Sequence, residues 1–271
     1  VIVAFCFSAS PQLFNEGIKT MGWRETWQIT ALIVGIGFPI FALIFFRDNP
    51  QQSHSLIDGT RKELSKKSKE AAKKLKDFTL KEARRTYSFW IFNLALAMNA
   101  LIITAITFHI ASIFEVAGMS QEKAVSMFLP ASIISIGFNF GSSWLSDFTK
   151  LKYLLMVELT GLFLALNAVI LLDVNSSAYW LLIAGYGMAL GIFSVLLTVT
   201  WPRFFGIQHL GAISGYALGW TVIGSAIGPY FFSLSHDFTG QYDVSTGICM
   251  GMILVLLILS LKAENVTRKS Y

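Results

Sequence analysis

Apolar residues along this chain come in long runs separated by short polar connectors, with one long polar exception between residues 47 and 88. A helix needs about 20 apolar residues to cross a bilayer. By that measure the pattern predicts eight membrane-crossing segments, over 1–15, 26–46, 89–114, 124–145, 153–172, 178–201, 212–234 and 244–261. The first is short and reads as cut at its N-terminal side. None alternates with the period of two that a membrane barrel needs, so backbone groups in lipid must be satisfied within helices.

Composition fits that pattern and excludes an ordinary soluble domain: 54% of the 271 residues are hydrophobic, 14% are charged, and the mean hydropathy is +0.61. The net charge of +5 is not a nucleic-acid footprint, because twelve of the twenty-one Lys and Arg lie between Arg47 and Arg85. Placing that segment in the cytoplasm turns the other connectors into a test. Eighteen basic residues then fall inside and three, Lys19, Arg24 and Lys123, fall outside. That is the positive-inside distribution of a multi-pass membrane protein, and it puts the tail in the cytoplasm too. Cys6 and Cys249 lie in apolar runs without metal-type spacing and read as small core residues. The chain opens on Val1 inside an apolar run with no charged leader, which reads as a fragment or a processed chain.

Within the basic segment, Leu64, Ala71, Leu75 and Phe78 recur at helical spacing, with Glu63/Lys67 and Glu70/Lys74 as supporting pairs. An amphipathic surface helix on the inner leaflet and a solvated linker both accommodate this pattern. An internal repeat flanks the segment. Ser10-Pro11 is followed eleven residues later by Gly22-Trp23-Arg24, and Gly228-Pro229 eleven residues later by Gly240-Gln241-Tyr242. The repeat predicts that a span breaks at X-Pro and turns at Gly. Two spans precede the basic segment and six follow, so two six-helix repeats missing the first four helices would account for both matches.

That arrangement resembles the major facilitator superfamily of secondary transporters, and within it the monocarboxylate transporter and oxalate/formate antiporter branch. The likeness is carried by Ser8-Ala9-Ser10-Pro11, Gly22-Trp23-Arg24 with Trp27, Arg47-Asp48-Asn49-Pro50, Thr79-Leu80-Lys81-Glu82-Ala83 leading to Phe89-Trp90, and Phe108-His109 with Gly118-Met119-Ser120. Pro202-Arg203-Phe204-Phe205-Gly206 with His209-Leu210-Gly211, and Gly224 to Pro229 followed by Asp237-Phe238-Thr239-Gly240, add to it. The resemblance implies an all-α integral membrane protein of the major facilitator fold with eight transmembrane helices present. These would be the last two helices of the N-terminal bundle over 1–46, a basic cytoplasmic linker over 47–88, the six-helix C-terminal bundle over 89–262, and a cytoplasmic tail over 263–271. The implied function is movement of a small organic solute, a short mono- or dicarboxylate, across a plasma or inner membrane, by alternating access with proton coupling or exchange. A transporter-like sensor or structural protein, or a carrier of a neutral or zwitterionic metabolite, is the alternative.

Candidate residues follow. Ser143 to Asp147 with Lys150 and Lys152 resembles the superfamily's Gly-x-x-x-Asp-basic loop, making Asp147 and Lys150 candidates for a conformational latch, although Ser143 replaces the first Gly and Phe148 stands where a basic residue is usual. The other reading of Asp147 is a cap on the next helix. Gly219, Gly224, Gly228 and Pro229 mark a helix that packs closely and bends, either as packing or as gating. Polar and aromatic positions that could line the cavity are Asn99, Thr104, His109, Ser135, Asn139, Thr198, Tyr216 and Trp220, many of which could equally bond helix to helix. His109 is either a proton-coupling group or a neutral ring tied to a neighbouring helix, and Glu158 is expected to pair with Lys152 or Arg203. No Lys or Arg falls within a span, so the branch's usual carboxylate anchor does not carry over. Either the upstream helices supply it or the substrate is not a simple anion. Metalloprotease, Walker and nucleophile-elbow motifs are missing, so no enzyme, cofactor, metal or nucleic-acid partner is expected. Protons or a counter-substrate and membrane lipids are the expected partners. Oligomeric state stays open.

Overall fold

Seven helices in the computed structural model are long and apolar enough to cross a membrane among the described residues, which are 2–45, 77–175 and 177–263. The expected surface helix between Leu64 and Leu75, the tail beyond Ala263 and the Cys6 side chain lie outside what is described. The described residues fall into two compact units.

The first holds α1 (Ile2–Met21) from Ala9 onward, α2 (Trp23–Leu32) and α3 (Phe38–Phe45). The expectation of eight spans is corrected here. Helix α1 is 20 residues long but carries Gln12, Asn15, Glu16 and Lys19, and it is not among the seven. Helices α2 and α3 form one span, Trp23–Ile44, joined by a π-helical stretch at Ile33–Gly37. Pro39 lacks the N–H that would bond Gly35, so the ladder widens there. The α1–α2 hairpin closes where Phe14 meets Trp27 with ring centroids 5.2 Å apart and Gly17 lies against the buried Thr26.

The second unit carries the other six spans. Its elements are α4 (Leu80–Ala83), α5 (Tyr87–Val116), α6 (Gln121–Ser126), α7 (Phe128–Phe148), α8 (Leu151–Leu171), α9 (Ala178–Phe205), α10 (Leu210–Thr239) and α11 (Asp243–Ser260). The predicted fourth segment is divided into α6 and α7 at Met127, because Pro130 has no N–H for the Ser126 carbonyl. Breaks at Ser10-Pro11 and Gly228-Pro229 are likewise corrected: α1 runs through Pro11 and α10 through Pro229. Membrane helices tolerate Pro because neighbours re-satisfy the freed backbone groups. The glycine half of the repeat holds, since Gly22 (φ 86°) and Gly240 (φ 71°) both turn the chain in a backbone region that disfavours side chains.

Helix α5 is the hub, packing on α8, α9, α10 and α11, while α9 packs on α7 and α8. Small residues allow these approaches. A methyl at Gly224 or Gly228 would overlap the carbonyls of Ala97 or Leu101 on α5, and at Gly187 or Gly191 those of Ala131 or Ser135 on α7. Gly219, by contrast, has open space around it. Helices α7 and α8, though consecutive, barely touch. Aromatic residues fill the core at the end where the chain enters from residue 77, called the linker end below: Phe89, Trp201, Phe204 and Phe205 are buried together, and Phe78 packs edge-on to Phe205. Residues 77–79 are not helical, so the helical spacing does not extend to Phe78. The Phe78 N–H instead bonds the Phe205 carbonyl at 2.9 Å.

Candidate functional site

The linker end is organised by a capping box. Thr79 caps α4, its hydroxyl accepting from the Glu82 N–H while the Glu82 carboxylate accepts from the Thr79 N–H at 2.8 Å. The short helix ends at Arg84, whose carbonyl takes the Trp90 indole N–H at 2.8 Å. That fixes the turn into α5 and sets the Arg84 guanidinium over the Tyr216 ring of α10, 4.7 Å from its centroid. Trp90 in turn meets Trp220 edge-to-face at 5.7 Å, and Phe89 lies beside Tyr216 at 6.1 Å. Two sequence candidates, Tyr216 and Trp220, are thus brought into one half-buried aromatic cluster that holds a cation. Arg84 is exposed and makes no ion pair among the described residues. An Arg fork held against an aromatic face keeps its N–H donors available for other partners. A search for cations within spans misses it, because Arg84 precedes α5 in sequence and only folding carries it onto α10.

The remaining candidates divide by what they touch. Asn99 is buried and donates to Glu158 Oε1 at 2.8 Å and to the Ala189 carbonyl at 3.4 Å, tying α5 to α8 and α9. The expected pairing of Glu158 with Lys152 or Arg203 is corrected accordingly. Lys152 is drawn instead to the Leu261 carbonyl at 3.1 Å, and Arg203 to the carbonyls of Ser146 and Asp147. Glu158 is fully buried, and its Oε2 has no hydrogen-bond partner among the described residues. Asn139 donates to Ser194 Oγ at 2.6 Å and Ser135 is buried where α7 meets Gly191, so both join α7 to α9. Thr198 turns its hydroxyl back onto its own helix, and Thr104 is half-buried with no hydrogen bond among the described residues.

At the opposite end His109 joins three helices. Its Nε2 lies 2.9 Å from the Pro229 carbonyl, which can only accept, so Nε2 carries the proton. Nδ1 faces the Tyr242 hydroxyl at 3.3 Å, and that hydroxyl is 3.0 Å from Ser112 Oγ. His236 stacks on Tyr242 with ring centroids 5.1 Å apart.

Of the latch candidates, Asp147 is exposed in the last turn of α7, and its carboxylate has no partner among the described residues. It caps nothing, because the N-cap of α8 is Lys150, without a side-chain cap bond. At this end α7 is tied to α9 by Arg203, a cation at the C-terminus of α7, where carbonyls are free and the dipole favours positive charge.

A family model for the Major Facilitator Superfamily matches residues 16–229. The chain belongs to that superfamily. Its six-span bundle with α5 at the centre and long helices throughout is therefore the all-α membrane architecture of major facilitator proteins, and the protein is a multi-pass membrane protein. Human "Monocarboxylate transporter 14" is 25% identical over 199 residues, which is 69% of this chain. The chain spans 38% of that relative's length.

Proposed function

We propose that this major facilitator protein is a secondary active transporter that moves a short mono- or dicarboxylate by alternating access, coupled to a proton or to a counter-substrate. The observation that carries the carboxylate reading is the Arg84 guanidinium held over Tyr216 beside Trp90 and Trp220, a cation with no ion pair among the described residues on a half-buried aromatic floor. It answers the absence of Lys and Arg from the spans, since an anion entering a low-dielectric region needs a cation or several donors. The similarity to a protein named as a monocarboxylate transporter points the same way. His109 provides a place for the coupled proton, because it is an ionisable ring inside a span, set between the Pro229 carbonyl and the Tyr242 hydroxyl.

Orientation follows from charge. In the described bundle Lys81, Arg84, Arg85, Lys150, Lys152, Arg203 and Lys262 lie at the linker end and Lys123 at the other, which supports a cytoplasmic linker end. Residues 1–46 and 89–262 would belong to the two halves that rock about the substrate, with 47–88 joining them and 263–271 as tail. The protein acts as a carrier, with no bond made or broken.

Uptake of labelled short carboxylates into proteoliposomes containing the full-length protein tests this reading. Saturable flux is expected, with KM raised about tenfold or more in Arg84→Gln, as when a charge-assisted bond of about 1.5–3 kcal/mol is lost. Ligand binding without saturable flux would instead mark a sensor built on a transporter fold, and equal flux of a carboxylate and its neutral amide would remove the anion from the proposal.

A further inference from the structure

A small aliphatic carboxylate would use little of what surrounds Arg84. Tyr216 and Trp220 stand one turn apart on the same face of α10, about 6 Å along its axis. Trp90 meets Trp220 with the ring planes at 85°, so the two indoles form a corner, and the bond from the Trp90 N–H to the Arg84 carbonyl holds one wall of it in place. Trp90, Tyr216 and Trp220 are all half-buried, with the fully buried Phe89 packed beside Tyr216. Neither the Tyr216 hydroxyl nor the Trp220 indole N–H has a hydrogen-bond partner among the described residues, whereas Tyr and Trp ordinarily find one where the bundle encloses them. The helix also offers room beside the rings: a Cβ on Gly219, next to Trp220, would meet no atom within 4 Å. The Arg84 guanidinium, held over the Tyr216 ring, keeps N–H donors for a second partner. A cation and a hydroxyl donor therefore stand at one end of this surface and an aromatic corner one turn away. An acid without a ring engages only the first. A planar ring bearing a carboxylate on a short arm engages both, because edge and face contacts between aromatic rings are worth more than the area they bury.

We propose that the transported carboxylate is an aromatic one, its carboxylate paired with Arg84 and the Tyr216 hydroxyl and its ring lying against Trp220 in the corner with Trp90. This rests on the reading of the protein as a carboxylate carrier and specifies the class of substrate. Saturable uptake by the full-length protein in proteoliposomes, above that of protein-free liposomes, is compared for 3-phenylpropionate, 3-cyclohexylpropionate and propionate, which share one head group. KM for the phenyl acid is expected to lie about two- to tenfold below that for its saturated counterpart. Trp220→Leu should bring the phenyl and cyclohexyl acids level by raising KM for the phenyl acid, Trp220→Phe should keep them apart, and Arg84→Gln should raise KM for all three acids. Equal KM values for the phenyl and cyclohexyl acids in wild type overturn the aromatic assignment while leaving the carboxylate reading in place. So do a preference that survives Trp220→Leu, which would leave the tryptophans as an interfacial belt, and a lowest KM for propionate. No saturable flux of any acid overturns the carboxylate reading and this inference with it. If Trp220→Leu fails to fold, the wild-type comparison decides alone.

Discussion

The Asp77 carboxylate accepts the backbone N–H of Ile207 at 3.0 Å, and the same oxygen accepts the N–H of Gln208 at 3.2 Å, so the chain entering the bundle is pinned to the turn that leaves α9. Gly206 makes this possible. It holds φ at 81°, and a methyl there would overlap the Asp77 carboxylate. Gly206→Ala should destabilise the bundle by about 1–3 kcal/mol through backbone strain and loss of this cap. Thermal unfolding in detergent measures it, and Asp77→Ala combined with Gly206→Ala should cost less than the two separately, because both act on one contact.

Gly228→Val should separate α10 from α5, because its side chain would enter the space of the Leu101 carbonyl. Expected losses are about 1–3 kcal/mol or more in stability together with most of the flux. Gly219→Ala, with open space around the glycine, should leave stability within about 0.5 kcal/mol. A pair of variants that behave alike would show that α10 is not held by close backbone approach.

Asn99→Leu should be among the most disruptive polar substitutions in the bundle. It strips the Glu158 carboxyl of its hydrogen bond inside a fully buried site, at a cost of about 1–3 kcal/mol or more. Glu158→Gln keeps an acceptor for Asn99 and should be far milder. Midpoints of thermal unfolding for the two variants, compared directly, are the measurement.

His109→Ala should flatten the pH dependence of flux, while Tyr242→Phe, which keeps the ring but removes the hydroxyl facing Nδ1, should shift that dependence. Proteoliposome uptake across a pH series reads both. A pH profile untouched by His109→Ala would leave the ring as a tie between α5 and α10 through the Pro229 carbonyl.

The chain by itself determined the class, the positions of seven of the eight predicted spans and the two glycine turns, because a bilayer demands about 20 apolar residues per crossing and a left-handed turn demands glycine. Those are constraints each short stretch must satisfy alone, so they are written locally. Sequence reasoning placed helix breaks at Pro11 and Pro229, where neighbouring helices in fact carry the chain through. Side-chain partnerships were decided only by tertiary structure. Glu158 was expected beside a cation and lies against Asn99 and apolar walls; Arg203 and not Asp147 links α7 to α9; Arg84, outside every span, reaches Tyr216 some 130 residues away. Each depends on which helix faces which, and spans of nearly uniform apolarity carry little information about that. The decision falls instead to small residues such as Gly187, Gly191, Gly224 and Gly228, which set how closely the helices meet.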